Sequence, residues 1–207
     1  MGARISTGKN NKQDYATPAD LMAAATARFG PIAFDLAAHA GNAKSPNYFA
    51  PVTGPEGPLP LDRAAFGMDA FDHSWSDLSC NRFRSEGRKG LLWLNCEFND
   101  IPRWTERVRD ESGKGANILS LTPASVGSVW FDTLVAAHAN VYLLRPRIPF
   151  IPGEPYNKDC MLAHFVSPGD RDGDTFPFIC TWHWKANEIT HIWRKGTQGS
   201  CLKKEIA

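Results

Sequence analysis

Apolar positions in this chain fall into short continuous runs, separated by stretches with helical spacing. A polar, Gly/Lys/Asn-rich segment over 1–13 comes first and is expected to be a flexible arm, with a single domain over 14–207. Thr17-Pro18 reads as an N-cap followed by proline at the first helical position, with Asp20 in the first turn. ADLMAAATARF continues in good helix formers, and Gly30 can close the helix in a left-handed cap. IAFDLAA, from Ile32, suits a buried strand. From Ala40 to Leu61 the pattern is irregular, and the proline-rich PVTGPEGPLPLD reads as a loop.

A regular alternation follows. GLLWLN predicts a buried strand, and Asp100 can cap a helix in which Ile101, Trp104 and Val108 share a face. ANILSL predicts another strand, Val126, Val129, Trp130 and Leu134 a helical face, and NVYLL a third strand. Strand, helix, strand, helix, strand implies parallel neighbours joined by crossovers. CMLAHFV and FPFICTWHW read as further strands, the latter pairing with EITHIW across KANE as a hairpin. Trp182 and Trp184 share a strand face and are expected to pack in the core. The fold class is α/β: a doubly wound, mostly parallel sheet ending in an antiparallel hairpin. In such sheets ligands bind beyond the carboxyl ends of the strands, which directs attention to Asp35, Asn95–Phe98, Thr122–Ser125 and Arg145–Arg147.

Composition narrows the picture. The 207 residues carry 23 basic and 22 acidic side chains and are 43% hydrophobic, which excludes a disordered chain and one that is basic all over. No apolar run approaches the length of a membrane span, and MGARISTGKNNKQD lacks a signal-peptide core, so a cytoplasmic protein without membrane contact is expected. Five scattered cysteines without a CxxC suit reduced thiols, and no metal is expected. The acidic turn PGDRDGDT departs from a calcium loop in its glycine position and lacks the closing Glu.

Several blocks in order resemble the phage-type, Dam-like DNA N6-adenine methyltransferases. DYATPADLMAAATARFG is similar to that family's opening D-x-x-T-P and helix. FDLAAHAGNAKSPNYF is similar to its F-x-L-D-x-A-A-x-x-x-N-A-K-x-x-x-Y-F block. LLWLNCEFNDIPRW stands in place of W-x-N-P-P-Y/F-x-x-I-x-x-W, and ILSLTPASVGSVWF and VYLLRPRIPF resemble the strands that follow. The resemblance spans about Asp14 to Val166. It implies a Rossmann-like class I methyltransferase fold, S-adenosylmethionine as cofactor, and double-stranded DNA as partner. It further implies cofactor contacts from Asp14, Thr17, Pro18, Asp35, Ala37, Ala38 and Asp72.

The same resemblance makes Asn95, Cys96, Glu97 and Phe98 the catalytic segment. Asn95 would accept a hydrogen bond from the exocyclic amine of a flipped adenine, and Phe98 would stack on the base. Cys96 and Glu97 replace the family's two prolines, removing the rigidity proline gives by fixing φ. Two alternatives stand beside adenine N6 transfer. In one, Cys96 acts as nucleophile for pyrimidine C5 modification, although adjacent Cys96 and Glu97 point to opposite faces of an extended segment. In the other, the fold binds DNA or a host protein without catalysis. DNA contacts are expected from Arg82, Arg84, Arg88 and Lys89 on one loop, from Arg103 and Arg107 one helical turn apart, and from Arg145 and Arg147 at a strand exit.

Overall fold

The computed structural model describes residues 16–50, 53–54, 57–58, 62–81, 89–136, 138–166 and 177–194. The expected arm, Asp14, Arg82, Arg84, Arg88 and the acidic turn at Asp170, Asp172 and Asp174 lie outside the described residues.

Helix α1 (Ala19–Phe29) leads into strand β1 (Ile32–Asp35). A minimal antiparallel pair, β2 (Thr53–Gly54) and β3 (Gly57–Pro58), lies within the proline-rich loop. A 3-10 turn (Ala70–Asp72) and α2 (Trp75–Asn81) precede β4 (Leu91–Leu94), α3 (Ile101–Gly113) and β5 (Asn117–Pro123). A π-helical turn (Phe131–Ala136) then leads to β6 (Asn140–Arg145), β7 (Cys160–Phe165), β8 (Phe178–His183) and β9 (Glu188–Arg194). The main sheet has seven strands in the order β1-β4-β5-β7-β6-β8-β9. β1, β4 and β5 pair in parallel, as do β6 and β8. β7 is antiparallel to both β5 and β6, and β9 to β8. Only β7 and β9 therefore oppose the common direction, and the C-terminal hairpin forms as expected.

The expectation that β5 and β6 are parallel neighbours is corrected, because β7 lies between them. The physical reason is its composition: Cys160, Met161, Leu162, Ala163 and Phe165 are buried on both of its faces. A strand with no polar face belongs in the sheet interior.

The sheet separates two cores, so the alternation of side chains sorts by face. Leu92, Leu94, Cys96 and Ile118 pack with Ile101 and Val108 of α3 on one face. Leu91, Trp93, Leu119 and Leu121 pack with Leu21 and Ala25 of α1 on the other. Trp182 and Trp184 are buried in that second core, as their spacing predicts. Ile101, Trp104 and Val108 share the α3 face that meets the first core.

Other local expectations are corrected. Val126 and Val129 are 59% and 79% exposed; the buried pair after β5 is Phe131 and Val135, because the helical segment begins later and is wound as a π turn. Neither Thr17 nor Asp100 caps a helix through its side chain. Asp100 pairs with Arg103 at 3.5 Å, and the hydroxyl of Thr17 is committed elsewhere. Gly30 does end α1 at positive φ (+100°), with its N–H on the Thr26 carbonyl at 2.9 Å, but its ψ of 175° is extended in place of the left-handed cap expected. Among the described residues no helix is long and apolar enough to cross a membrane.

Candidate functional site

The carboxyl ends of β1, β4, β5, β6 and β8 share one edge of the sheet, and β7 and β9 start there. Asp35 ends β1 and pairs in register with Trp93; Asn95 follows β4 two positions later. Asn95 Nδ2 donates to Thr17 Oγ1 at 3.2 Å, joining segments 78 positions apart. Thr17 is buried, so its hydroxyl gains a partner and the start of α1 is pinned to the β4 exit. Three sequence blocks thereby meet on one edge: Thr17, Asp35 and Asn95.

The residues between Asn95 and Phe98 divide as their alternation predicts. Cys96 is buried in the first core and Glu97 is exposed. Burial pushes the Cys96 thiol up to about 12, with Asp100 and Glu97 adding to the rise. Such a thiol is protonated near neutral pH, whereas nucleophilic addition needs a reachable thiolate. The local environment opposes the nucleophile alternative. Phe98 is half-buried, and its ring centroid lies 6.2 Å from that of Tyr156. Tyr156 comes from the loop after β6, where its N–H donates to the Ile148 carbonyl at 2.8 Å and Phe150 meets it edge-on at 5.2 Å. Nothing in the spacing of Tyr156 within its own loop points to this contact. Thr122, in the strand exit the sequence singles out after β5, has a buried hydroxyl with no hydrogen-bond partner.

The exit of β1 is closed on itself. Asp35 is 2% exposed; its Oδ1 accepts from Ala37 N–H at 3.3 Å and its Oδ2 from Lys44 N–H at 2.9 Å. Its own N–H donates to the Asn47 carbonyl, and its carbonyl accepts from Phe49 N–H. Leu36 and Ala38 donate to the carbonyls of Trp93 and Phe49. His39 donates to Asn42 Oδ1, Ala40 to Asp62 Oδ2 and Gly41 to His39 Nδ1, while Asn42 and Ala43 share the His39 carbonyl. Every backbone N–H from Asp35 to Lys44 is thus engaged. Burial raises the Asp35 pKa to about 7, against the lowering effect of the two amides and of Lys44.

This bears directly on S-adenosylmethionine. Its methionine carboxylate needs donors and its ribose hydroxyls an accessible acceptor, and the β1 exit offers neither. Ala38 packs against Tyr48 and Ala50, so it does not present an open backbone. In this conformation the polar groups of Asp35, Ala37 and Ala38 are engaged within the loop and do not meet those needs. Asp72 is exposed in the 3-10 turn, beside His73, whose ring lies 4.9 Å from Phe49 in the segment after β1. Pro18 is half-buried at the start of α1, its carbonyl accepting from Met22 N–H at 3.1 Å.

No protein-family model matches this chain, and a search of curated proteins finds no match.

The expected DNA contacts divide sharply. Lys89 lies before β4 and Asn95 after it, so a strand rise of about 3.3 Å per residue puts them about 20 Å apart, at opposite edges of the sheet. Lys89 therefore lies at the amino edge of the sheet, away from the β4 exit. Arg103 and Arg107 both reach the segment before α2, Arg107 half-buried and Arg103 exposed. Arg103 stacks on Phe71 at 4.1 Å; Arg107 donates to the His73 carbonyl at 2.8 Å and pairs with buried Glu111 at 3.3 Å. Glu111 in turn accepts from the N–H groups of Trp75 and Ser76 at the start of α2. Arg145 and Arg147 lie exposed on the carboxyl edge with the β4 exit, as does Arg103 in the first turn of α3. Among the described residues no group of three or more His, Cys, Asp or Glu is arranged to hold a metal ion.

Proposed function

We propose that this chain is a Rossmann-like methyltransferase-type domain that receives a DNA base at the β4 exit. Adenine is the base favoured, with methyl transfer from S-adenosylmethionine to N6 as the reaction implied. The observation that carries this reading is the Asn95–Thr17 hydrogen bond. It brings the T-P segment and the N-C-E-F segment together at the carboxyl edge, where ligands of open α/β sheets bind. Besides the Nδ2 that meets Thr17, the Asn95 amide carries a carbonyl oxygen, the kind of acceptor an exocyclic amine requires. Phe98 contributes an apolar face beside it.

A second reading, a related domain that binds DNA without methylating it, is favoured by the closed hydrogen bonding of the β1 exit. Titration calorimetry with S-adenosylmethionine, with and without duplex DNA, separates the two when paired with nucleoside mass spectrometry of DNA from expressing cells. Binding heat and N6-methyladenine are the expected result. DNA binding with no cofactor heat and no modified base supports the second reading. A C5-methylated pyrimidine overturns the adenine assignment, and absence of any DNA binding overturns both.

A further inference from the structure

The cations of this protein differ in how they are used. On α3, Arg103 pairs with Asp100, Arg107 with Glu111, Arg109 with Asp110 and Lys114 with Glu111. On the carboxyl edge, Arg145, Lys158 and Lys185 are exposed and have no acidic partner within ion-pair distance among the described residues. Arg147 does have one, Asp159 at 2.8 Å, but both side chains are largely exposed. Such a surface pair contributes little and yields readily to a phosphate.

These four positions are tied into one surface. Arg145 pairs in register with His183, and the next residue, Trp184, donates its N–H to the Arg145 carbonyl at 3.0 Å. Trp184 Nε1 donates to the Pro146 carbonyl at 2.7 Å, and Lys185 Nζ lies 5.2 Å from the Trp184 ring centroid. The loop over 146–159 is stiffened at its tip, where Glu154 N–H donates to the Ile151 carbonyl and Gly153 takes φ +83° after Pro152. That is the arrangement of a type II turn. The loop also carries Tyr156, which reaches Phe98. Its cations are therefore mounted on a preorganised platform beside the proposed base site. The acids beside them are Glu154 and Asp159 on the loop and Asp20, which lines the same hollow as Trp184 and Lys185, three against four cations.

We infer that the loop over 146–159, together with Arg145 and Lys185, is the surface along which duplex DNA runs, its phosphates meeting Arg145, Arg147, Lys158 and Lys185. This rests on the reading of the β4 exit as a base-receiving site and adds where the duplex lies. Phosphate contacts fix register on a duplex and impose a salt dependence proportional to their number.

The test is fluorescence anisotropy with a labelled mixed-sequence duplex over a range of salt. The triple variant Arg145→Gln, Lys158→Gln, Lys185→Gln is expected to bind at least about tenfold more weakly, with a log–log salt slope reduced by about one for each phosphate no longer neutralised. Arg109→Gln is expected to stay within about twofold of the unmodified chain, since it lies two turns along α3 from the β4 exit and pairs with Asp110. Unchanged affinity in the triple variant, or an equal loss in Arg109→Gln, overturns this inference alone. Failure of the unmodified chain to bind the duplex overturns the underlying reading as well.

Discussion

Asn95 donates its side-chain amide to the hydroxyl of Thr17, so the β4 exit is held by the residue that precedes Pro18 and α1. Orientation of a reacting group within small tolerances is worth orders of magnitude in rate, and this bond helps to set which way the Asn95 amide faces. Thr17→Val removes the acceptor while keeping the shape. It is expected to lower kcat for base methylation about ten- to a hundredfold, with KM for DNA little changed. Thr17→Ser is expected to restore most of the rate. A single-turnover methylation assay with both variants checks this; equal rates for Val and Ser sink the positioning role.

Asp35 and His164 make opposing contributions to the pH dependence of stability. Burial raises Asp35 to about 7, above its unfolded value, so its contribution is present below about pH 4 and is lost as pH rises through about 7. Burial lowers His164 to about 4, with Nε2 on Asn117 Oδ1 at 2.8 Å. Its contribution is present above its unfolded pKa of about 6.5 and is lost as pH falls toward 4. The two slopes offset one another between about pH 4 and 6.5. Asp35→Asn is expected to leave a Tm that rises with pH across that window, and His164→Gln one that falls. Thermal unfolding at closely spaced pH values reads both, and parallel profiles for the two variants refute the assignment.

Arg107 joins α3 to the segment before α2 through the His73 carbonyl and buried Glu111. Arg107→Ala is expected to destabilise the fold by about 2 kcal/mol, since Lys114 remains to compensate Glu111. The urea midpoint should fall while DNA affinity in the folded variant is retained. A variant of full stability that no longer binds DNA would reverse the structural assignment.

Thiol accessibility tests the environment of the β4 exit. Cys80 is exposed, whereas Cys96, Cys160 and Cys180 are buried, each with its thiol pushed up to about 12 by burial. Iodoacetamide labelling followed by peptide mass spectrometry is expected to modify Cys80 in the native protein and the other three only after unfolding. Rapid native labelling of Cys96 would reopen the nucleophile alternative.

Much of the fold is legible in the sequence because strand runs and the α3 stripe carry their own periodicity. Ile101, Trp104 and Val108 share a face at helical spacing, and Trp182 and Trp184 share one at strand spacing. Periodicity does not say which strands become neighbours, so CMLAHF reads as a strand without revealing that it separates β5 from β6. Nor does it fix where a helix starts or which side of its first turn meets the core, which is why Val126 and Val129 mislead. The site is legible only in part. Asn95 and Thr17 stand out as residues but not as partners. Tyr156 reaches Phe98 through a loop whose path depends on tertiary packing. The cations separate by use only once their acidic partners are placed: Arg103 and Arg145 look alike in the sequence.

The closed loop after β1 changes what its letters mean. The spacing of Asp35, Ala37, Ala38, Asn42, Lys44, Tyr48 and Phe49 is accounted for by bonds and packing inside the loop. Folding pressure alone can therefore maintain this block. A chain that had abandoned its small-molecule ligand would still need the same letters, whereas one that kept the ligand could vary them only by rebuilding the turn. Likeness across this stretch measures kinship of architecture, and the chemistry is to be sought at the neighbouring strand exit.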